Sequence, residues 1–193
     1  MNKNRLEAFS DGVLAIIITI MVLEIRIPHG GSLASLLPMV PVLTCYFLSF
    51  LYIGIYWGNH HHLLNTVTKV HSSMLLANLN LLFWLSLVPV ATGWMGENNF
   101  SPDTVAVYAV LMNLCGIAYT ILQFTITKHH DFSPEVRMAL EKQKRKGYIS
   151  TVAYAAAIPF AYIQPMISAG LFFLVSILWL VPDRNIEKVL TKE

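Results

Sequence analysis

The chain is poor in charge. Only 12% of its 193 residues are Asp, Glu, Lys or Arg, about half the roughly 25% typical of soluble chains, which excludes an ordinary soluble domain. Cysteine is scarce too: Cys45 and Cys115 are the only two. Both fall inside apolar runs, where they read as packing residues and neither as a disulfide nor as a metal pair. Catalytic patterns are missing. No GxxxxGK[ST], GxGxxG, HExxH, CxxC or GxSxG sequence occurs, so phosphate-loop, dinucleotide, zinc-protease, thiol-redox and serine-hydrolase chemistries have no footing. No apolar run carries a pair of carboxylates for acid–base work, and no enzyme is expected. The TVGYG re-entrant loop of a carbonyl-lined potassium filter is absent as well. A net charge of +2 calls for no nucleic-acid partner.

What the chain has is hydrocarbon. Hydrophobic residues make up 55% and mean hydropathy is +0.58. Six runs approach the ~20 apolar residues that cross a ~30 Å hydrocarbon core, at about 8–27, 36–57, 71–94, 104–127, 148–163 and 166–182. The fold class this predicts is an all-α membrane protein with one six-span domain, 1–193, and no re-entrant filter loop. The last two runs are parted only by Gln164-Pro165 and should form a tight hairpin. Charge sets the sidedness. With six spans, one side holds Lys3, Arg5, Lys69, Lys128, Arg137, Lys142, Lys144, Arg145, Lys146, Arg184, Lys188 and Lys192, and the other side only Arg26. The positive-inside rule then makes both termini cytoplasmic and the protein a multi-pass component of the cell membrane. No cleavage site of the A-x-A type follows the basic N-terminus and Asp11 interrupts the early apolar run, so the first span is expected to be retained.

Five stretches along the chain carry specific expectations. Gly54 and Gly58 have the small-xxx-small spacing of closely packed membrane helices. His60, His61 and His62 stand in the next connection; adjacent helical positions point about 100° apart, so they cannot jointly ligate one ion from one helix, and one of them in a hydrogen-bond network is the plainer reading. The third span holds His71, Asn78, Asn80 and several hydroxyls, which predicts a bundle-interior helix against the first span, ended by Pro89 and the glycines beyond it. The fourth is more apolar and is expected to face lipid or neighbouring subunits, Asn113 and Gln123 being its exceptions. Ser133-Pro134-Glu135 then reads as a helix start, followed by a basic run at the lipid surface whose simplest role is topology.

The first span is the unusual one. Asp11 stands where a helix should already be entering lipid, at a cost of ~2.5–3.5 kcal/mol unless it is paired or faces a bundle interior. Arg5 and Asp11 are six apart and do not share a helical face, so Asp11 should be joined through another span, with Asn78, His71 or the Trp57–His60 region as partners. Beyond it, Gly12, Ile16, Thr19, Ile20 and Leu23 fall on one face at i, i+4, i+7, i+8 and i+11. That stripe fits a helix-packing core, or a hydrophobic constriction formed by symmetric copies of the helix; periodicity does not separate them.

Arg5-x-x-x-Phe9-Ser10-Asp11 with its Gly-Val-Leu-Ala-Ile continuation, the Asn78-Leu-Asn80 run leading to Pro89, and the six-span layout together resemble the transmembrane protein 175 family of potassium channels in a prokaryotic, single-repeat form. The resemblance implies a homotetramer whose first helices line a central pore without a re-entrant filter, and no cofactor beyond potassium as the permeant ion. It places the constriction at Ile16, Ile20 and Leu23 and the potassium preference at Thr19. Arg5, Phe9, Ser10, Asp11, His71 and Asn78 then form a structural network that holds the helix. The expected function is a passive potassium-selective channel in contact with membrane lipids, and the competing reading is a proton-linked carrier using Asp11 and the histidines.

Overall fold

A computed structural model describes residues 2–180; the final residues of the sixth run and Arg184, Lys188 and Lys192 lie outside them. Every regular element among the described residues is a helix. The elements are α1 (Lys3–Leu23), a 3-10 helix (Leu33–Met39), α2 (Val40–Asn65), α3 (Ser72–Ser86), α4 (Val88–Glu97), α5 (Pro102–His129), α6 (Pro134–Ile163) and α7 (Pro165–Leu180). Four stretches are long and apolar enough to cross a membrane: Lys3–Leu23, Leu33–Asn65, Ser72–Glu97 and Pro102–His129, with α7 a shorter apolar fifth. The chain is a multi-pass membrane protein.

The breaks follow proline chemistry. The third run divides into α3 and α4 at Leu87, because Pro89 lacks an N–H and its ring collides with the carbonyl four residues back. Pro89 therefore bends the path without ending it, and helix continues to Glu97, past the expected stop. Pro165 opens α7 directly after α6, and Ser168 Oγ donates to Ala157 O at 2.7 Å across the resulting hairpin. The expected start of α6 is present: Ser133 Oγ accepts from Val136 N at 3.4 Å. Hydrogen bonds from its own backbone N–H and from Ser133 hold the Glu135 carboxyl below the ordinary carboxylate range.

Three expectations change. The connections around 58–70 and 128–147 are mostly helix: α2 carries His60, His61 and His62 in its last turns, and α6 begins four residues after α5 ends. The fourth run is not chiefly an outer helix, though one face of it stays exposed. α5 is the central helix, with Tyr108, Met112, Cys115 and Leu122 fully buried among α3, α4, α6 and α7. Its polar exceptions fasten it to α6, Asn113 Nδ2 donating to Thr151 O at 3.0 Å and Gln123 Nε2 to Leu140 O at 2.8 Å. Gly54 and Gly58, finally, have no neighbour within 4 Å of where a Cβ would stand, whereas a Cβ on Gly96 would lie 2.8 Å from Val42 Cα. The close approach is between α4 and α2.

Candidate pore helix and its anchor

α1 carries two apolar stripes, and burial distinguishes them. Leu6, Ser10, Leu14, Ile17 and Met21 are buried in the subunit. The other stripe is turned away from it: Ile16 is 57% exposed, Ile20 41% and Leu23 80%, and Gly12 and Thr19 are exposed between them. At 3.6 residues per turn the two stripes lie roughly 135° apart. The core of the subunit is thus complete without Gly12, Ile16, Thr19, Ile20 and Leu23, which remain as an apolar surface interrupted by one hydroxyl.

That hydroxyl has a defined orientation. Thr19 Oγ1 donates back to Ala15 O at 3.1 Å and Ile16 O at 2.9 Å. Its one proton is committed to the helix backbone, and its oxygen lone pairs are left to accept or coordinate from the outer side.

The head of α1 is held from two directions. Toward α3, Ser10 Oγ donates to Leu6 O at 2.9 Å and accepts from Asn78 Nδ2 at 3.0 Å. Asn78 Oδ1 lies 2.7 Å from His60 Nε2. An amide oxygen can only accept, so His60 Nε2 carries the proton and the three side chains form one directed chain: His60 to Asn78 to Ser10 to the α1 backbone. All three are buried, Ser10 and Asn78 completely, and a buried network with every member satisfied is stabilising where a broken one is costly. Toward α2, Trp57 Nε1 donates to Asp11 Oδ1 at 3.0 Å. Lys3 adds a third, weaker tie, its Nζ 3.2 Å from Asn65 O at the end of α2 and 3.8 Å from Glu7 Oε1.

The structure therefore brings together Ser10 with Asn78, and Asp11 with the Trp57 region. It does not bring His71 into this network. α3 starts at Ser72, so His71 is its extended N-cap and stacks on His129 at 4.9 Å between ring centroids, away from Ser10. Arg5 and Phe9 are exposed, and Arg5 has no hydrogen bond or ion pair among the described residues; by helical angle both continue the exposed stripe toward the N-terminal end of α1. His60 is the member that sequence reasoning did not single out. Its signal was the histidine run, of which one ring reaches a polar residue of α3, while His61 stacks on Trp57 at 6.3 Å.

Nothing in the site performs bond-making chemistry. No three His, Cys, Asp or Glu side chains gather as a metal site among the described residues. Asp11 is hydrogen-bonded by Trp57 and, among the described residues, by no histidine.

Known proteins resemble this chain in sequence and fold. A family model described as the endosomal/lysosomal potassium channel TMEM175 matches residues 5–89, the stretch that holds α1, Trp57, His60 and Asn78. A protein described as a potassium channel from Chryseobacterium sp. (strain P1-3) is 50% identical over 190 residues, 98% of each chain. Another, from Streptomyces collinus, is 32% identical over 175 residues, 85% of each. The crystal structure of a lysosomal potassium-selective channel TMEM175 homolog from Chamaesiphon minutus matches the fold with a TM-score of 0.82 at 28% identity, covering 95% of this chain and 97% of that one.

Proposed function

Because this chain belongs to the TMEM175 family, we propose that it is a potassium-selective cation channel and not an enzyme. The chain crosses the cell membrane six times as a single transmembrane domain, by the four long apolar stretches, residues 148–163 of α6, and α7. Both termini are cytoplasmic. Four copies surround an axis lined by α1, whose exposed stripe supplies the pore wall. The observation that carries this reading is the second apolar face of α1: the subunit's own core is closed without it, and a regularly spaced uncovered face of this kind meets either lipid or copies of itself.

On that reading Ile16, Ile20 and Leu23 are successive rings of a hydrophobic constriction, which holds back ions by refusing water. Thr19 lies between the Ile16 and Ile20 rings, its lone pairs directed at the axis and available to a partly dehydrated potassium ion. Passive conduction needs no cofactor, and small dilations or rotations of α1 open the gate. Membrane lipids surround the tetramer. Planar-bilayer recording tests the arrangement: Ile16→Asn wets the constriction and should raise unitary conductance, and unchanged currents would remove Ile16 from the pore.

A further inference from the structure

The outer surface of the α5–α6 hairpin carries a feature that topology alone does not require. The Asn113–Thr151 and Gln123–Leu140 bonds fix the antiparallel register, which sets Lys144 and Arg145 beside Thr120. Two adjoining cavities open there. One, of about 460 Å³, is lined by Phe124, Thr127, Phe132, Arg137, Glu141 and Lys144 among others. The second, of about 490 Å³, shares Ile121, Glu141 and Lys144 with it and adds Ile117, Arg145 and Tyr148. Together they make a groove with an apolar floor and a cationic rim.

The basic residues of this segment are not spread evenly around α6. Arg137, Lys144 and Arg145 share one helical face with Glu141 and Tyr148, and Lys142 and Lys146 lie off it. The opposite face looks inward: Gln143 Nε2 donates to Asn59 Oδ1 at 3.1 Å and to Tyr119 OH at 3.0 Å, and Lys146 stands over the Trp179 ring at 6.0 Å. On the outward face Arg137 and Arg145 have no hydrogen bond or ion pair among the described residues, and Lys144 reaches Glu141 only at 4.0 Å, both side chains more than half exposed. Three cations against one carboxylate leave the groove net positive. On the floor Ile117, Ile121 and Phe124 are 42%, 45% and 64% exposed, large apolar side chains with nothing of the subunit over them.

We propose that this groove binds an anionic phospholipid of the cytoplasmic leaflet, its phosphate held by Arg137, Lys144 and Arg145 and an acyl chain laid along Phe124, Ile121 and Ile117. Charge complementarity selects the headgroup, and the continuity of the rim with an apolar floor selects a lipid over a soluble anion. The assignment of leaflet rests on the cytoplasmic placement of this end proposed above; occupancy of the groove does not, and it is read without current.

Native mass spectrometry of the purified full-length channel in mixed phosphatidylglycerol–phosphatidylcholine micelles tests the proposal. Each Lys or Arg near an anionic headgroup contributes a factor of about five, so Lys144→Gln with Arg145→Gln should weaken phosphatidylglycerol retention roughly thirtyfold. Arg26→Gln with Lys69→Gln, which removes the same charge from residues that do not line the groove, should leave it within about twofold. Arg145→Lys guards against misfolding and should retain most of the binding. Equal loss in the control pair, or full retention in the groove pair, would overturn the site. Inorganic phosphate that displaces the lipid at millimolar concentration would show a soluble-anion site and overturn the lipid assignment. A photo-crosslinker at Tyr148 that captures a second subunit instead of lipid would show that another copy covers the groove, and would overturn it as well.

Discussion

The directed chain His60–Asn78–Ser10 makes a quantitative demand on stability. Asn78→Ala removes two hydrogen bonds between helices, 3.0 Å to Ser10 and 2.7 Å to His60, and leaves the buried His60 nitrogen without its acceptor. Hydrogen bonds between membrane helices average about 0.6 kcal/mol in double-mutant cycles and reach about 1.7. Asn78 and Ser10 are completely buried, which favours the upper part of that range, so the single variant should cost about 1–3 kcal/mol. Ser10→Ala should cost less, since it abolishes one interhelical bond and an internal one to Leu6. The decisive quantity is the coupling. Because both variants break the same Ser10–Asn78 bond, the double variant should be more stable than the sum of the singles predicts by about 0.6–1.7 kcal/mol. Unfolding in mixed detergent micelles, followed by tryptophan fluorescence and repeated for all four proteins, gives the cycle. Coupling below about 0.3 kcal/mol, the error with which independent sites add, would mean that the chain does not act as a unit and that α1 is not anchored through α3.

Other substitutions test other parts of the scaffold. Asp11→Asn weakens the Trp57 bond by removing its charge, and should reduce tetramer yield on size-exclusion chromatography more than it changes the potassium/sodium reversal potential; intact tetramers with altered preference would place Asp11 in the permeation path. Gly96→Ala sets a methyl 2.8 Å from the Val42 backbone, which cannot yield as a side chain end would; separation of α4 from α2 should cost about 1–3 kcal/mol in the same unfolding assay. Gly54→Ala, which meets nothing within 4 Å inside the subunit, should be nearly neutral for subunit stability, and a large loss there would assign that face to contacts between subunits.

How much of this was legible in the sequence depended on whether a residue's partners were local. Helix starts at Ser133 and Pro165 were readable, because their chemistry acts within one turn; that Pro89 bends the third run and the helix goes on to Glu97 was not, since the packing of α4 on α2 decides it. The link from the third span to the first was readable in kind, as amide and hydroxyl groups in lipid must find partners. His60 was hidden because three adjacent histidines look alike until helix phase selects one. His71 was misjudged because its position at the head of α3 carries no directional signal in the sequence. The centrality of α5 was illegible for a more general reason. Hydrocarbon and protein core select the same apolar residues, so a buried helix and a lipid-facing one have similar composition. The two stripes of α1 met the same ambiguity, resolved only by which of them the rest of the subunit covers.

The geometry of α1 also explains why its polar head is separate from its apolar stripe. Taken around the helix axis, Ser10 looks toward α3, Asp11 lies about 100° further round toward α2, and the exposed stripe points into the remaining sector. Each tether restrains the rotation of the helix, and two in different directions restrain it redundantly. That rotation matters because the stripe lies roughly 5–6 Å from the helix axis. A turn of about 20° would carry Ile16, Ile20 and Leu23 sideways by roughly 2 Å and, in the proposed tetramer, would move the Thr19 oxygen off the axis with them. Either tether alone should therefore hold the stripe near its position, and only loss of both should release it. Asn78→Ala and Trp57→Phe, each alone, should then leave the potassium/sodium preference close to that of the unaltered channel, while the combined variant should lose it by far more than the product of the single effects. Bi-ionic reversal potentials of the reconstituted proteins measure this directly. Single-variant losses that multiply to the double-variant loss would show that the tethers act independently on stability and do not jointly orient the pore helix.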